Sequence, residues 1–365
     1  MTALPLKPPH CDETQGALTA IYNWNYDSEI DQVRSLYANA LERQWIAVRD
    51  LDWEGGIDRE AFARTFSLGG LPIDKTEFWQ NLDADLKWEV SRRSSAFLLS
   101  NFLHGEQGAL MVASQMVSAV PHTDAKFYAA TQTVDEARHV EVFSAYIKLL
   151  DDVYPIAPSL KRVLDATISS GSWLEKAVGM QMVVEGLALH VFRDMRNATE
   201  EPLLKQLLTY VSRDEARHCG YGIKYLSAVV GSLSERERHD LEDFAYEAAR
   251  LLVDSRSGVS IRSSMLEIWK QAGLDPQTMF QELAKEREKL DPEIQRNNAT
   301  GPVRAFIIPS LKSVGLFSER LEQHFRGMFE ANFGERAKNM AFGDSLPENL
   351  ELWLEEMFEA DEGRV

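Results

Sequence analysis

A pentapeptide occurs twice in this chain: Asp135-Glu136-Ala137-Arg138-His139 and, 79 residues later, Asp214-Glu215-Ala216-Arg217-His218. Residues three apart on an α-helix share a face. Each repeat therefore aims a carboxylate and an imidazole the same way, as half of a metal site. Glu106 precedes Glu136 by thirty residues and Glu185 precedes Glu215 by the same interval, each in a mostly apolar, helix-patterned stretch. One translation thus superimposes Glu106, Glu136 and His139 on Glu185, Glu215 and His218.

Two helices with one glutamate each and two with Glu-x-x-His make up the recurring carboxylate-bridged dimetal arrangement of a four-helix bundle. The fold class predicted is all-α. Four carboxylates and two imidazoles suit two iron ions, with manganese as an alternative occupant of one or both sites; the lack of a cysteine set argues against structural zinc or an iron–sulfur cluster. Four glutamates balance two divalent ions, so the filled site is close to neutral and can lie in an apolar core. Asp135 and Asp214 each stand four residues before the histidine of their own repeat, one helical turn away, where they are expected to accept its outer N–H. Arg138 and Arg217 are expected to pair with those aspartates. Cys219 leaves its helix about 100° from His218, which favours packing over ligation. His104 and His190 point away from the glutamate faces. Gly105, Gly108 and Gly186 flank Glu106 and Glu185, at a cost of roughly 1 kcal/mol each relative to alanine. Close helix packing and a local π-bulge both account for them.

The remaining pattern is helical: about 27–49, a short helix and a Gly69-Gly70-Leu71-Pro72 turn within 57–74, a long helix over 75–120 broken near Ala84, then 123–150, 159–168, 172–196, 200–230, 234–256, 260–272, 276–289, 303–315 and 318–341. The stretch 348–362 is acidic with helix-spaced apolar residues, and suits a solvated helix or a docking segment. This divides the chain into an N-terminal arm and helix (1–74), the dimetal bundle (75–232) and a C-terminal helical extension (233–365) whose role the pattern leaves open. With 44% hydrophobic residues the chain buries a full core, while a net charge of −18 argues against nucleic acid and anionic membranes as partners. No apolar run approaches the ~18 residues of a membrane span, and the first residues lack a signal-peptide core. Two cysteines, Cys11 and Cys219, fit a reducing cytoplasm better than a disulfide framework.

The paired Glu…Asp-Glu-x-Arg-His halves resemble the ferritin-like superfamily of diiron carboxylate proteins, which includes bacterial multicomponent monooxygenase hydroxylases, acyl-carrier desaturases, arylamine N-oxygenases and the ribonucleotide reductase small subunit. The match covers about residues 95–230; Gln44-Trp45 and Asp50-Leu51-Asp52-Trp53 also resemble the lead-in of some bacterial members. The resemblance implies a ferritin-like bundle, the six residues above as ligands, and a homodimer. It also implies a reduced diiron site that reacts with O₂ and oxidises a substrate. Three positions depart from relatives. Phe143 stands where radical-generating subunits place a tyrosine, Leu189 where monooxygenase hydroxylases place a threonine, and Val211 where arylamine N-oxygenases place a third histidine. The residues a turn from the ligands are largely apolar: Phe102, Ala109, Leu110, Phe143, Met182, Leu189 and Val211 would line a substrate pocket, with Gln132, Gln181, Thr133 and Ser212 as polar exceptions. The expected function is O₂-dependent hydroxylation, N-oxygenation or desaturation of a small, mainly apolar organic substrate. No dinucleotide fingerprint is present, so electrons come from an external donor, a reductase or ferredoxin. The alternatives are a ferroxidase or iron-handling protein, and a radical-generating subunit of a larger complex.

Overall fold

A computed structural model describes residues 11–64, 76–257, 259–289, 301–333 and 342; the turn at Gly69–Pro72, the expected boundary at 74/75 and the acidic stretch 348–362 lie outside them. In chain order the helices are α1 (Asp31–Glu42), α2 (Ala47–Asp50), α3 (Arg59–Arg64), α4 (Glu77–Gln80), α5 (Ala84–Ala119), α6 (Thr123–Leu150), α7 (Pro158–Ser169) and α8 (Trp173–Ala177). A π-helical segment, Val178–Val184, joins α8 to α9 (Glu185–Ala198). There follow α10 (Pro202–Val229), α11 (Glu235–Ser257), α12 (Val259–Gln271), α13 (Pro276–Lys289), α14 (Ile308–Ser313) and α15 (Glu319–Phe333). The described residues contain no strand, and none of their helices is long and apolar enough to cross a membrane.

Local chemistry sets the boundaries that matter. Asp83 caps α5 by accepting from Leu86 N, Ser172 caps α8 by accepting from Glu175 N, and buried Glu201 caps α10 by accepting from Leu203 and Leu204. Proline stands at the start of α7 and α10, where the missing N–H has no helical partner to lose. The single helix expected over about 27–49 is instead α1 and α2 with a break at Arg43–Ile46. Propensity favoured continuation; tertiary bonds won. Gln44 Nε2 donates to the Ala40 carbonyl and to Asp135, and Trp45 Nε1 reaches Asp214, so this segment turns inward rather than on along the helix.

α5, α6, the α8–π–α9 rod and α10 form the bundle, with α1 laid across α6 and α10. Its core falls into two large apolar clusters. One contains Ala109, Tyr128, Met182 and Tyr221, and extends into Leu241 and Ala245 of α11 and Phe325 of α15. The other contains Leu103, Phe143, Phe192, Leu207 and Val211. Along each of the four bundle elements the glutamate or Glu-x-x-His falls between the two clusters. A polar layer is thereby enclosed by apolar ones.

Candidate metal centre

Glu106 comes from α5, Glu136 and His139 from α6, Glu185 from the start of α9, and Glu215 and His218 from α10. All six are at most 5% exposed. They fall into two overlapping groups, Glu106, Glu136, His139 and Glu215 in one and Glu136, Glu185 and His218 in the other, whose donor atoms lie within 4.8 Å of one another. Glu136 joins them: one oxygen stands 3.3 Å from His139 Nδ1 and the other 3.1 Å from His218 Nδ1. Glu215 Oε1 also faces both, at 3.1 and 3.6 Å. Only Glu136 belongs to both groups; Glu106, Glu215 and Glu185 belong to one each.

Buried atoms test whether this cluster fits a pair of cations. Glu136 Oε2, Glu185 Oε2, both oxygens of Glu215 and His218 Nδ1 have no hydrogen-bond partner. Several buried lone pairs aimed at one another repel unless cations or protons lie between them. Without metal, protons answer: burial, with like charge from Glu215, pushes Glu106 well above the usual carboxylate range, and burial pushes Glu185 the same way. Burial would lower both imidazoles, but the carboxylates around them hold His139 and His218 well above the ordinary value. The donor set fits two oxygen-seeking divalent ions.

The aspartates correct the sequence-based expectation. Asp135 does not serve His139, nor Asp214 His218; the pairs are crossed between α6 and α10. His139 Nε2 lies 3.1 Å from Asp214 Oδ2, and His218 Nε2 lies 3.3 Å from Asp135 Oδ2. Each imidazole of an antiparallel pair extends toward the opposite helix, beyond reach of its own preceding turn. Nε2 is thereby committed to a carboxylate, so Nδ1 faces the metal position in both rings. Arg138 spans the crossing, donating to Asp135 at 2.5 Å and Asp214 at 3.0 Å, and Arg217 bonds to Asp214. These cations hold Asp214 ionised, well below its ordinary range despite burial.

Four further residues act on the centre. Trp45 Nε1 donates to Asp214 Oδ2 at 2.7 Å beneath Arg138, and Gln44 bonds both Asp135 and Arg138. Gln132 Nε2 donates to Glu185 at 2.7 Å and Glu136 at 3.2 Å, and Gln181, in the π segment, donates to Gln132. The glutamines were legible only as polar interruptions, one turn before Glu136 and Glu185. Gln44 and Trp45 lie some 90 and 170 residues from their partners, and no local periodicity reports such a pairing.

The π segment ends at Glu185, whereas α5 runs without interruption through Glu106. Gly186 marks close packing: a Cβ there would meet the Phe306 ring at 2.3 Å. His104 bonds the Tyr154 carbonyl and His190 faces Asp194. Cys219 packs with Leu189, Ala216 and Phe306. The seven expected pocket residues are divided among different apolar clusters. Phe102, Phe143 and Val211 share one cluster, Ala109 and Met182 the opposite one, Leu189 the small cluster with Cys219, and Leu110 is half-buried. The reason is geometric: residues one turn before and one turn after a ligand lie on opposite sides of the polar layer.

The family of P-aminobenzoate N-oxygenase AurF matches residues 27–306. Among solved structures, a tyrosine-to-phenylalanine mutant of an R2-like ligand-binding oxidase with an aerobically reconstituted Mn/Fe cofactor is 17% identical, covering 81% of this chain and 95% of that one at a TM-score of 0.49. An R2-like ligand-binding oxidase with the same cofactor after a long soak is 18% identical, covering 82% and 99% at 0.47. No curated protein matches.

Proposed function

The chain belongs to the family of the p-aminobenzoate N-oxygenase AurF, within the ferritin-like diiron carboxylate oxygenases, and we propose that it oxygenates the nitrogen of a small aromatic amine at a centre of two iron ions. Manganese in one position is compatible with the same donors. The observation that carries this reading is the buried layer of four carboxylates and two imidazoles whose facing atoms lack partners. Glu136 and Glu215 are its bridging candidates, with Glu106 and His139 on one side and Glu185 and His218 on the other. When bound, the metal pair supplies the binding and reduction of O₂, with electrons from an external donor.

The protein's own groups do the rest. Asp214 and Asp135 keep the Nε2 protons of His139 and His218, leaving the Nδ1 lone pairs free to ligate. Gln132 orients Glu185 and Glu136 by donating to both. The flanking apolar clusters keep bulk water from the layer. Phe102, Phe143, Phe192 and Val211 offer an aromatic ring an apolar surround on one side; the rings of Phe102 and Phe143 lie tilted against Phe192 at 4.7 and 5.4 Å between centroids. Val211, where arylamine N-oxygenases carry a third histidine, leaves six ligands and makes this side less polar.

Metal analysis of the anaerobically reduced protein followed by single-turnover reaction with O₂ and p-aminobenzoate tests the proposal. Two iron ions per chain and a hydroxylamino or nitro product are expected. Consumption of O₂ with ring or side-chain hydroxylation instead would replace N-oxygenation by hydroxylation. Repeated oxidation of added Fe²⁺ with no organic product from an amine panel would establish the iron-handling alternative.

A further inference from the structure

Four aromatic side chains lead away from the metal centre in an unbroken series. Tyr128 of α6 stacks on Tyr221 of α10 with centroids 4.5 Å apart, Tyr221 on Tyr225 at 5.6 Å, and Tyr225 on Trp173 of α8 at 4.8 Å. Tyr221 stands one helical turn beyond His218, and Tyr128 two turns before Glu136. The three tyrosines are fully buried, whereas Trp173 is only partly so. At the outer end the Tyr225 hydroxyl lies 3.0 Å from Nδ1 of half-buried His122, and it donates to that nitrogen in the tautomer protonated at Nε2. At the inner end the Tyr128 hydroxyl has no hydrogen-bond partner, and the Tyr221 hydroxyl has only the Ala125 carbonyl, at 3.2 Å.

Packing alone accounts poorly for these hydroxyls. Phenylalanine fills nearly the same volume, and burying a phenol without a partner costs free energy that phenylalanine would not. What a phenol adds is a readily oxidised ring. An imidazole beside the outermost phenol adds a place for its proton.

We propose that Tyr128, Tyr221, Tyr225 and Trp173 form a one-electron conduit that discharges the O₂-oxidised centre to the surface when no organic substrate is bound; the proposal rests on the dimetal reading above. One electron leaves Tyr225 and passes through Tyr221 and Tyr128 to the centre, and the phenolic proton of Tyr225 moves to His122 Nδ1. The products are a neutral Tyr225 radical, a protonated His122 and a centre reduced by one electron. A small one-electron reductant of the ascorbate class returns the electron through Trp173, and His122 returns the proton.

Two measurements on the full-length, metal-loaded protein test this. In the first, the reduced protein is mixed with O₂ without amine and freeze-quenched for EPR, with ring-deuterated tyrosine to identify the radical. A tyrosyl signal is expected that Tyr225→Phe abolishes and ascorbate quenches, while peptide mapping shows a several-fold loss of Trp173 oxidation in Tyr221→Phe. In the second, a dissolved ruthenium tris-bipyridyl photo-oxidant with persulfate oxidises the protein from outside, independently of any metal chemistry. Oxidation is then expected to reach Tyr221 and Tyr128 in the wild type and to fall several-fold in Tyr225→Phe, with Trp173→Phe as a second interruption should that variant fold poorly. Photo-oxidation travelling inward in a protein that consumes no O₂ would sustain the conduit and sink the dimetal reading instead. Equal inner-ring oxidation in wild type and both interrupted variants would overturn the conduit.

Discussion

The two halves of the bundle carry the same pattern of a glutamate followed by Glu-x-x-His and execute it differently. In the first, Glu106 stands on a 36-residue α-helix with no interruption, and Glu136 and His139 follow on α6. In the second, a seven-residue π segment delivers Glu185, and Gly222 of α10 receives it: a Cβ on Gly222 would lie 2.5 Å from Gln181 Cβ. A Cβ on Gly105, beside Glu106, would meet nothing within 4 Å. The difference teaches that a duplicated ligand pattern does not require duplicated backbone. The first half holds its glutamate by helix regularity, the second by a widened turn locked through Gln181 and Gln132.

The strongest way to break the comparison is to remove a shared ligand and a private one. Glu136 faces both imidazoles, so Glu136→Ala should lose both metals and lower single-turnover activity by more than ~100-fold, beyond what an outer partner is worth. Glu106→Ala should lose one metal and retain the other. Metal content per chain separates the two variants, and equal losses would remove the distinction between bridging and one-sided carboxylates.

The crossing of the aspartates gives the next largest effect. Asp214→Asn should weaken the metal beside His139 by about 10–100-fold, and Asp135→Asn the metal beside His218 by as much, the reverse of their order in the sequence. Site-resolved Mössbauer spectra during iron titration would show which position empties first. Loss at each aspartate's own histidine would contradict the crossed pairing.

Proton competition sharpens the comparison less steeply. Without metal, Glu106, Glu185 and both histidines have raised affinities for protons, and metal binding must displace those protons. Metal affinity should therefore fall as pH falls, by ~10-fold per pH unit for each proton released. Calorimetric titration in buffers of different ionisation enthalpy should show net proton release; none would mean the carboxylates are already ionised in the apo protein.

The smallest effects concern the backbone. Gly222→Ala should destabilise the protein by about 1–3 kcal/mol, because the neighbouring backbone of the π segment must move. Gly105→Ala faces open space in a helix interior and should stabilise by up to ~1 kcal/mol. Thermal melts of both variants, compared with metal occupancy at Glu185, would show whether the π turn holds the second half.

Much was legible without coordinates because it depends on periodicities of a few residues. The 3.6-residue repeat placed α6, α7, α10 and the whole α8–π–α9 rod within a few residues of their ends, and α5 from the break expected near Ala84, while the common offset singled out six residues that the fold brings into one layer. The helix start expected at 172 coincides with Ser172, the residue that caps α8. Long-range choices were not legible in this way. The break between α1 and α2 looks in sequence like continuing helix, since the bonds that end it come from Asp135 and Asp214.

By itself, then, the sequence determined the fold class, the four helices that carry the clustered carboxylates and imidazoles, and the donor chemistry they offer, because each is a property of residue type and local spacing. Only the tertiary structure decided which aspartate serves which histidine, that Trp45 and Gln44 join the centre, and that the expected pocket residues divide between opposite sides of it. Those depend on where antiparallel helices cross. A few ångströms of relative translation there select among partners that local spacing treats alike.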